Sequence, residues 1–495
     1  MKTNIKLIGI SLLTFLMFSC EDSLDELPDN RTQIDTAEKI GEVLTLAYPL
    51  ANYSPFLAPM TDNADDKGPS ARENRVNTEM YFWRDVNDND SDFPTHYWNE
   101  CYKAISQANH ALQAIEDLGG GSELNYLKGE ALIARAYAHF MLVNIWSKTY
   151  NPSTAGSDLG IPYVLEPENV VIKEYKRGTV KEVYEKIEAD IVAGLPLITN
   201  KYTVPKFHFN KNAANAFASR FYLFKGDWEK VIQYSNQVLG TAPADLLRDW
   251  TGKYRSFTYS QVRNEYSSTA EVANLLIVSG ASLYGRGGNF LAARYQLSTD
   301  LANTLFFNGS QINNKRWSYK VYGSDLFLNT PKHIEYFRTT NAAAGIGFAF
   351  TNSVLLTTDE VLLNRAEAFT MLGQTGNAVS DINAFLSKKI RDYDAATDVR
   401  TLDQLNTLHA VDQGIYEPFY TIEPEKLALL NGIIEYRRRE FQNEGLRWFD
   451  IRRFNLEIVH EDFFDNKSTL TKTDNRKQLQ IPVDGQSFGL QSNPR

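Results

Sequence analysis

Two glutamates near the C-terminal end of the chain have the spacing of a catalytic acid and base. Residues 433–454 read IIEYRRREFQNEGLRWFDIRRF, in which Glu440 and Glu444 are one helical turn apart. The same segment carries six arginines among large apolar side chains, and partly buried charges must be matched by opposite charges to be tolerated. We therefore favour a structural interpretation, in which both glutamates belong to a hub of ion pairs between two helices hinged at Gly445.

Other catalytic and metal-binding patterns are absent from the sequence or incomplete. There is no His-Glu-x-x-His, no Gly-x-Ser-x-Gly, no phosphate-binding loop and no paired cysteines. The acidic run at 88–92 begins like a calcium loop, but Phe93 and Asn99 stand where that loop needs glycine and glutamate. Among 61 acidic residues, the sequence neither locates nor excludes the carboxylate pair of a glycosidase. These patterns predict a protein that is not an enzyme and that uses no metal and no cofactor.

Aromatic residues in two loop-rich stretches are the best candidates for ligand binding. A sugar ring presents C–H groups that pack on the negative face of an aromatic ring, and nearby polar side chains then hold its hydroxyls. The first stretch runs from Asp62 to Trp83 and the second from Tyr284 to Tyr319. Long irregular segments of this kind are usually functional or disordered, and the aromatic residues favour an ordered site. The candidate ligand-binding residues are Tyr81, Trp83, Tyr284, Arg286, Tyr295, Trp317 and Tyr319.

Helical hairpins that repeat along the chain must position these loops. The spacing of apolar residues predicts a helix from Trp98 to Leu118, followed by an alanine-rich helix. The octet RAYAHFML at 135–142 aligns with RAEAFTML at 365–372, and the distance between them requires insertions between the repeated units. The sequence therefore predicts a mainly α fold, a tetratricopeptide-like helical-repeat scaffold with long irregular loop insertions and few short strands, one of them at 275–278.

Composition and the N-terminus limit where the protein acts and what it binds. The chain has 495 residues and a net charge of −10, which argues against a nucleic-acid ligand. Residues 1–19 are predicted to be a signal peptide, because Lys2 and Lys6 precede a short apolar run. We expect residues 20–35 to be a polar tether and 36–495 to be a single unit. Its expected parts are an N-terminal helical-repeat part (36–240), a loop-rich ligand-binding insertion (241–352) and a C-terminal helical part (353–495).

Five segments, taken in order, resemble the SusD/RagB family of nutrient-binding lipoproteins of Bacteroidetes. The first is similar to a bacterial lipobox, which ends on a lipidated cysteine, and the fourth is similar to the family's C-terminal signature. The segments are LMFSC (16–20), LDELP (24–28), GIPY (160–163), RRREFQNEGLRWFDIRRF (437–454) and LQIPV (479–483). The resemblance thus extends over nearly the whole chain.

The resemblance implies a surface lipoprotein that is anchored in the outer membrane through Cys20. It also implies a glycan ligand, bound on loops above the repeat scaffold, and a SusC-like TonB-dependent outer-membrane transporter as partner. Some family members take peptides, so a peptide-binding RagB-like uptake lipoprotein or a helical-repeat protein-binding scaffold is the alternative. A flat platform of exposed aromatic residues on loops would favour sugar, and a groove lined by helices would favour peptide.

Overall fold

Sixteen α-helices dominate the part of the chain that the structure describes. The computed structural model describes residues 34–168, 173–286, 290, 292–310 and 312–495. The predicted signal peptide, most of the tether and Cys20 lie outside the described residues. The helices are α1 (Ala37–Leu44), α2 (Ser54–Leu57), α3 (Arg75–Tyr81), α4 (Pro94–Asp117), α5 (Asn125–Trp146), α6 (Val180–Gly194), α7 (Lys211–Lys225), α8 (Trp228–Leu239), α9 (Tyr259–Tyr266), α10 (Thr299–Ala302), α11 (Thr358–Met371), α12 (Thr375–Lys389), α13 (Leu402–Leu408), α14 (Pro424–Glu440), α15 (Leu446–Arg453) and α16 (Val483–Ser487).

Short strands pair into three small antiparallel sheets. In the described residues the strands are β1 (Asp65–Asp66), β2 (Asn274–Ala281), β3 (Tyr295–Gln296), β4 (Glu335–Asn341), β5 (Ile346–Thr357), β6 (Ile458–Glu461) and β7 (Lys467–Leu470). Strand β1 pairs with β3, β5 lies between β2 and β4, and β6 pairs with β7. The predicted strand at 275–278 is confirmed as part of β2, whereas the sequence pattern does not predict the β4–β5 hairpin.

Helix boundaries follow local capping chemistry. The Thr179 hydroxyl accepts a hydrogen bond from the Glu182 amide, and the Glu182 carboxylate accepts one from the Thr179 amide, which fixes the start of α6. The Asn210 side-chain oxygen accepts hydrogen bonds from the Asn212 and Ala213 amides and so caps α7, which ends at Gly226 with a φ of 75°. Such caps place the helix ends, and hence the loops that leave them.

The predicted helical repeat is confirmed by two matching sets of contacts. Helix α4 packs on α5, α7 on α8, and α11 on α12. In the aligned octets, Arg135 and Arg365 each form a two-pronged ion pair with an aspartate of the following helix, at N–O distances of 2.7 to 2.9 Å. Each also donates at 2.8 Å to an asparagine of another packed helix, which is α4 for Arg135 and α8 for Arg365. The two sets are Arg135–Asp190–Asn109 and Arg365–Asp381–Asn236.

The C-terminal segment at 437–454 forms the end of α14, a turn and α15, and several of its charged side chains are buried in ion pairs. The Arg453 guanidinium donates to both Glu367 carboxylate oxygens at 2.7 and 3.1 Å and to Asp450 at 2.9 Å. Arg437 donates to Asp450 at 3.0 Å, and all four side chains are buried. Gly445, with a φ of 74°, turns the chain between the two helices. We call Arg437, Asp450, Arg453 and Glu367 the arginine hub.

Both glutamates of the proposed acid–base pair are engaged in ion pairs with lysines. Glu440 contacts Lys389 at 3.0 Å, and Glu444 contacts Lys332 at 2.6 Å. Burial alone would raise the pKa of Glu440, but Lys389 and Lys332 lower it below its ordinary value, so the carboxylate stays ionised. Both glutamates are therefore held in ion pairs, as the structural interpretation predicts, and their partner lysines come from outside the segment.

Candidate ligand-binding site

The first aromatic stretch meets the middle of the second at one surface, which we call the loop face. It is formed by residues 62–84, 292–300, 324–328 and 461–466. Strand β1 pairs with β3, so that Asp66 lies opposite Tyr295. The Asn77 side chain reinforces the contact, because its Nδ2 donates to the Tyr295 carbonyl at 2.7 Å and its Oδ1 accepts from the Tyr295 amide at 3.0 Å.

Rings from three segments stack in a column beneath the loop face. Tyr295 stacks on Tyr81 with centroids 4.2 Å apart, Tyr81 stacks on His460 at 3.9 Å, and His460 stacks on Trp83 at 4.4 Å. The side chains of Tyr81, Trp83 and Tyr295 are all buried. The prediction that these rings are exposed for stacking on a ligand is wrong, since tertiary contacts cover both of their faces.

Trp83 lies at one end of this column, and replacing it tests whether its role is structural. Its Nε1 donates to the Met60 carbonyl at 2.9 Å, and only 3% of the residue is exposed. Trp83→Phe removes this donor and leaves a buried carbonyl unsatisfied, so we expect it to lower the free energy of unfolding by about 1 to 2 kcal/mol. Chemical denaturation measures this loss. Unchanged stability together with weakened ligand binding would return Trp83 to the binding site.

Tyr284 and Arg286 lie at the base of the β4–β5 hairpin. The Tyr284 ring is fully buried and packs against Phe290 and His333, with centroid distances of 5.2 and 4.8 Å. Arg286 is exposed, and its guanidinium forms a two-pronged ion pair with Glu335 at 2.7 and 2.8 Å. Tyr284 is therefore a core residue, contrary to the expectation, and Arg286 tethers the hairpin to the preceding loop.

Trp317 and Tyr319 pack against α14 and α9 rather than against the loop-face strands. Trp317 is buried, forms a β-bridge with Ile390 and lies 6.1 Å from the Tyr436 ring. Tyr319 is half-buried, 5.5 Å from the Trp250 ring. Trp317 is therefore enclosed between the insertion and the C-terminal helices, contrary to the expectation of an exposed stacking platform, whereas Tyr319 remains partly exposed.

Exposed rings on the loop face come instead from phenylalanines that are not among the candidate residues predicted from the sequence. Phe463 and Phe464 are 57% and 68% exposed, and their rings lie 5.6 Å apart in an edge-to-face arrangement. The Phe463 amide donates to Asp66 at 3.0 Å, and its ring lies so close to Gly68 that a Cβ there would come within 2.6 Å of it. Exposed Phe327 follows Leu326, whose carbonyl accepts a 2.6 Å hydrogen bond from Lys67.

Ionised side chains lie beside these rings. Arg294 donates to both Asp66 oxygens at 2.5 and 2.6 Å and to Glu73 at 3.0 Å. Burial alone would raise the pKa of Asp66, but the Arg294 guanidinium and two backbone amides lower it below its ordinary value. Burial lowers the pKa of Lys67 to about 8. The Asp66 side chain is fully buried, so the charged groups that the loop face offers beside its rings are the partly exposed Arg294 and the exposed Glu73.

A separate groove of about 600 Å³ runs along α4. Its lining includes Trp98, Tyr102, Tyr175, Phe488 and Leu490. Phe488 is 54% exposed, whereas Trp98 is only 5% exposed and belongs to the hydrophobic core. The groove is thus lined by α4, by residues between Pro162 and Tyr175, and by the segment around α16.

Family comparisons agree with the helical scaffold and the buried hub. Residues 22–223 match a family model described as starch-binding and associating with the outer membrane, and residues 255–487 match the model of the SusD family. The chain belongs to the SusD family. The signature at 437–454, whose resemblance suggested this membership, lies within the second match and supplies three of the four residues of the arginine hub.

Relatives and solved structures extend the likeness over most of the chain. SusD-like protein P2 of Formosa agariphila is 24% identical, over 79% of this chain and 76% of its own length. A SusD superfamily protein from Bacteroides thetaiotaomicron is 21% identical, covers 93% of this chain and 100% of its own, and has a TM-score of 0.65. A putative sugar-binding protein from Bacteroides vulgatus is 18% identical, covers 94% and 99%, and has a TM-score of 0.66. The chain therefore has the tetratricopeptide-like helical fold of the SusD superfamily.

Membrane crossing by a helix finds no support in the described residues. None of the helices there combines the length and the apolar character that spanning a bilayer requires.

Proposed function

We propose that this SusD-family protein is a cell-surface lipoprotein that binds a glycan at the loop face and delivers it to a TonB-dependent outer-membrane transporter. The observation that carries the proposal is the pair of exposed phenylalanines, Phe463 and Phe464, beside Arg294, which the buried Asp66 carboxylate holds in place. Large exposed apolar groups on an anchored loop mark interaction sites. Rings can pack on the C–H face of a sugar, while charged side chains hold its hydroxyls by strong hydrogen bonds.

Descriptions of similar proteins support the glycan as ligand. The model that matches residues 22–223 is described as starch-binding, and one of the structurally similar proteins is described as a putative sugar-binding protein. The exposed rings of the loop face also stand on loops and a hairpin turn, which is the arrangement expected for sugar binding.

A peptide is the second candidate ligand, and the groove along α4 favours it. The groove presents apolar surface from Phe488 and Leu490 beside the acidic residues Glu166, Glu168 and Asp484. Helix-lined grooves of helical-repeat proteins commonly hold extended or helical peptides. A peptide bound there would have no need of the exposed loop-face rings.

A panel of ligands tests the proposed function. The soluble protein, residues 21–495, is titrated calorimetrically with neutral and acidic polysaccharides and, separately, with a tryptic peptide mixture. We expect saturable binding of at least one polysaccharide, with modest affinity, since each stacked ring adds only about 1 kcal/mol beyond burial. Binding of peptides without binding of any polysaccharide would overturn the glycan proposal in favour of the peptide proposal.

Lipidation of Cys20 is the proposed means of attachment to the outer membrane. Cys20→Ala removes the thiol to which the lipid would be attached, so we expect an unlipidated protein that fractionates away from the outer membrane. Membrane fractionation and intact-mass measurement of the wild type and the variant check this outcome. Cys101→Ala is the matched control, because Cys101 is a buried core residue and its removal should leave the location unchanged. A Cys20→Ala protein that stays anchored would contradict the proposal.

A further inference from the structure

A polar pocket of about 360 Å³ lies beside the C-terminal end of α15, distinct from the loop face and from the α4 groove. It is enclosed by the loop after α5, by the segment at 417–419 and by residues 472–478. Cationic side chains outnumber carboxylates among its lining residues. The cations are Lys148, Arg452, Arg453, Lys472 and Lys477, and the carboxylates are Asp158, Glu417 and Asp474.

Ion pairs already account for every carboxylate of the pocket. Each has a cationic partner within 2.8 Å, and one further lining cation, Arg453, is paired within the arginine hub. The pairs are Lys148–Asp158, Lys472–Glu417, Arg476–Asp474 and Arg453–Glu367. Within the described part of the chain, Arg452 and Lys477 then remain without a carboxylate at ion-pair distance.

Arg452 is buried with only neutral oxygens as acceptors. It is 6% exposed, and its two terminal nitrogens donate to the carbonyls of Asn144 and Ser147 at the C-terminal end of α5. These carbonyls carry the partial negative charge of a helix end, which is smaller than a full unit charge. The buried Nε has no acceptor among the described residues. The guanidinium therefore retains both net charge and an unused donor.

Lys477 places a second positive charge in the same pocket. It is 9% exposed, and its ammonium donates to the Asn455 side-chain oxygen and to the Lys472 carbonyl, both at 3.0 Å. Burial first, and then repulsion from Arg452, lower the pKa of Lys477 to about 8. Two cations that repel each other in a partly enclosed space favour an anion between or beside them.

Aromatic and uncharged polar groups complete the lining. The rings of Tyr150 and Phe419, both half-buried, lie 6.0 Å apart in an edge-to-face arrangement at the pocket. Thr149, Asn475 and Gln478 add hydroxyl and amide donors. A small apolar wall beside donors and cations suits an anionic group carried on a carbohydrate ring as well as a free inorganic anion.

We propose that this pocket, centred on Arg452 and Lys477, is a binding site for an oxyanion, meaning a carboxylate, sulfate or phosphate group. The oxyanion site does not require the proposed glycan function. Only the further step, in which the oxyanion is part of an acidic sugar, rests on that function. The pocket and the exposed phenylalanines stand at opposite ends of the β6–β7 hairpin, whose four-residue strands are roughly 13 Å long. The two sites can therefore be tested separately.

Anion titrations at constant ionic strength, with chloride as the compensating ion, test this site. The probes are inorganic sulfate, inorganic phosphate and D-glucuronate, with D-glucose as the uncharged counterpart of the last. The expected result is a saturable heat signal and a rise in Tm for at least one oxyanion, and neither change for glucose.

Lys477→Gln should raise Kd for that oxyanion about tenfold or more, while Lys477→Arg should keep Kd within about threefold of the wild type, because it retains the charge. Lys181→Gln, an exposed lysine on α6, is the control and should leave Kd unchanged.

Separate outcomes identify the source of the oxyanion and the failure of each proposal. Binding of glucuronate supports an acidic sugar, whereas binding of sulfate or phosphate alone supports a free inorganic anion. No saturable binding of any probe over chloride would overturn the site, and so would Lys477→Gln binding as tightly as the wild type. Loss of oxyanion binding in folded Lys477→Arg would equally contradict it. If Lys477→Gln still binds the neutral glycan, the loop-face site is independent of the oxyanion site.

Discussion

Replacing Arg453 by methionine should lower the free energy of unfolding by about 3 to 5 kcal/mol. Arg453 donates to Glu367 and Asp450, and all three side chains are almost completely buried. Methionine keeps much of the apolar volume, so that the loss reports the uncompensated carboxylates rather than a cavity. Chemical denaturation followed by circular dichroism measures the change, and the slope against denaturant should remain that of the wild type.

Arg447→Met is the matched control for this variant. Arg447 forms a two-pronged ion pair with Asp62 at 2.8 Å, but the Asp62 side chain is 31% exposed. Water can therefore hydrate the Asp62 carboxylate after Arg447 is removed, and we expect a loss of only about 1 kcal/mol. Equal losses in the two variants, or a loss near zero for Arg453→Met, would contradict the description of the arginine hub.

Lowering the pH should reduce the difference between Arg453→Met and the wild type. Burial alone would raise the pKa of Asp450, but Arg437 and Arg453 hold it below its ordinary value of 3.8. In the wild type this ion pairing stabilises the fold above that ordinary value and is lost as the pH falls through the lower folded value. In the variant the remaining carboxylates can take up protons at higher pH, which relieves their burial. The stability difference at pH 4 should therefore be smaller than at pH 7.

Replacing Phe463 and Phe464 together by alanine should weaken glycan binding by about 2 kcal/mol, roughly thirtyfold in Kd. Both rings are more than half exposed and edge-to-face, while the loop that carries them is anchored through the Phe463 amide to Asp66. Because the backbone anchor remains and little buried area is lost, Tm should stay nearly unchanged. Calorimetric titration with the best polysaccharide of the panel measures the change in Kd.

Phe488→Ala is the control for the double variant, because Phe488 is a similarly exposed phenylalanine that lines the α4 groove. Its Kd for the glycan should equal that of the wild type. If Phe488→Ala abolishes glycan binding and the double variant does not, the ligand occupies the groove and the loop-face site is wrong.

Repeating and strongly patterned elements were predictable from the sequence. The helix predicted from Trp98 to Leu118 corresponds to α4, Pro94–Asp117, and the aligned octets place Arg135 and Arg365 in equivalent ion pairs. These elements have local signals, since apolar spacing and capping residues lie within a few positions of each other. The hub was predictable for a related reason, because so many arginines beside apolar side chains require buried partners.

The candidate site was less predictable, because burial of a loop residue depends on distant segments. Trp83 has no apolar periodicity around it, and only the contacts with Met60 and His460 reveal that it is enclosed. Phe463 and Phe464 lie in a short turn between β6 and β7, where adjacent phenylalanines flanked by Asp462 and Asp465 were the available signal. The β4–β5 hairpin is largely exposed near its turn, so its strands lack the alternation of apolar and polar residues that marks a half-buried strand.

Hydrogen exchange of the protein with and without its best polysaccharide ligand shows directly whether the glycan binds at the loop face. Backbone amides in 62–84 and 461–466 should exchange more slowly when the ligand is bound, because these segments carry the exposed rings and the fixed Asp66 and Arg294 contacts. Amides of 96–106 and 484–490, along the α4 groove, should exchange at unchanged rates. Slower exchange confined to the groove segments, with the loop face unaffected, would show that the glycan binds in the groove and not at the loop face.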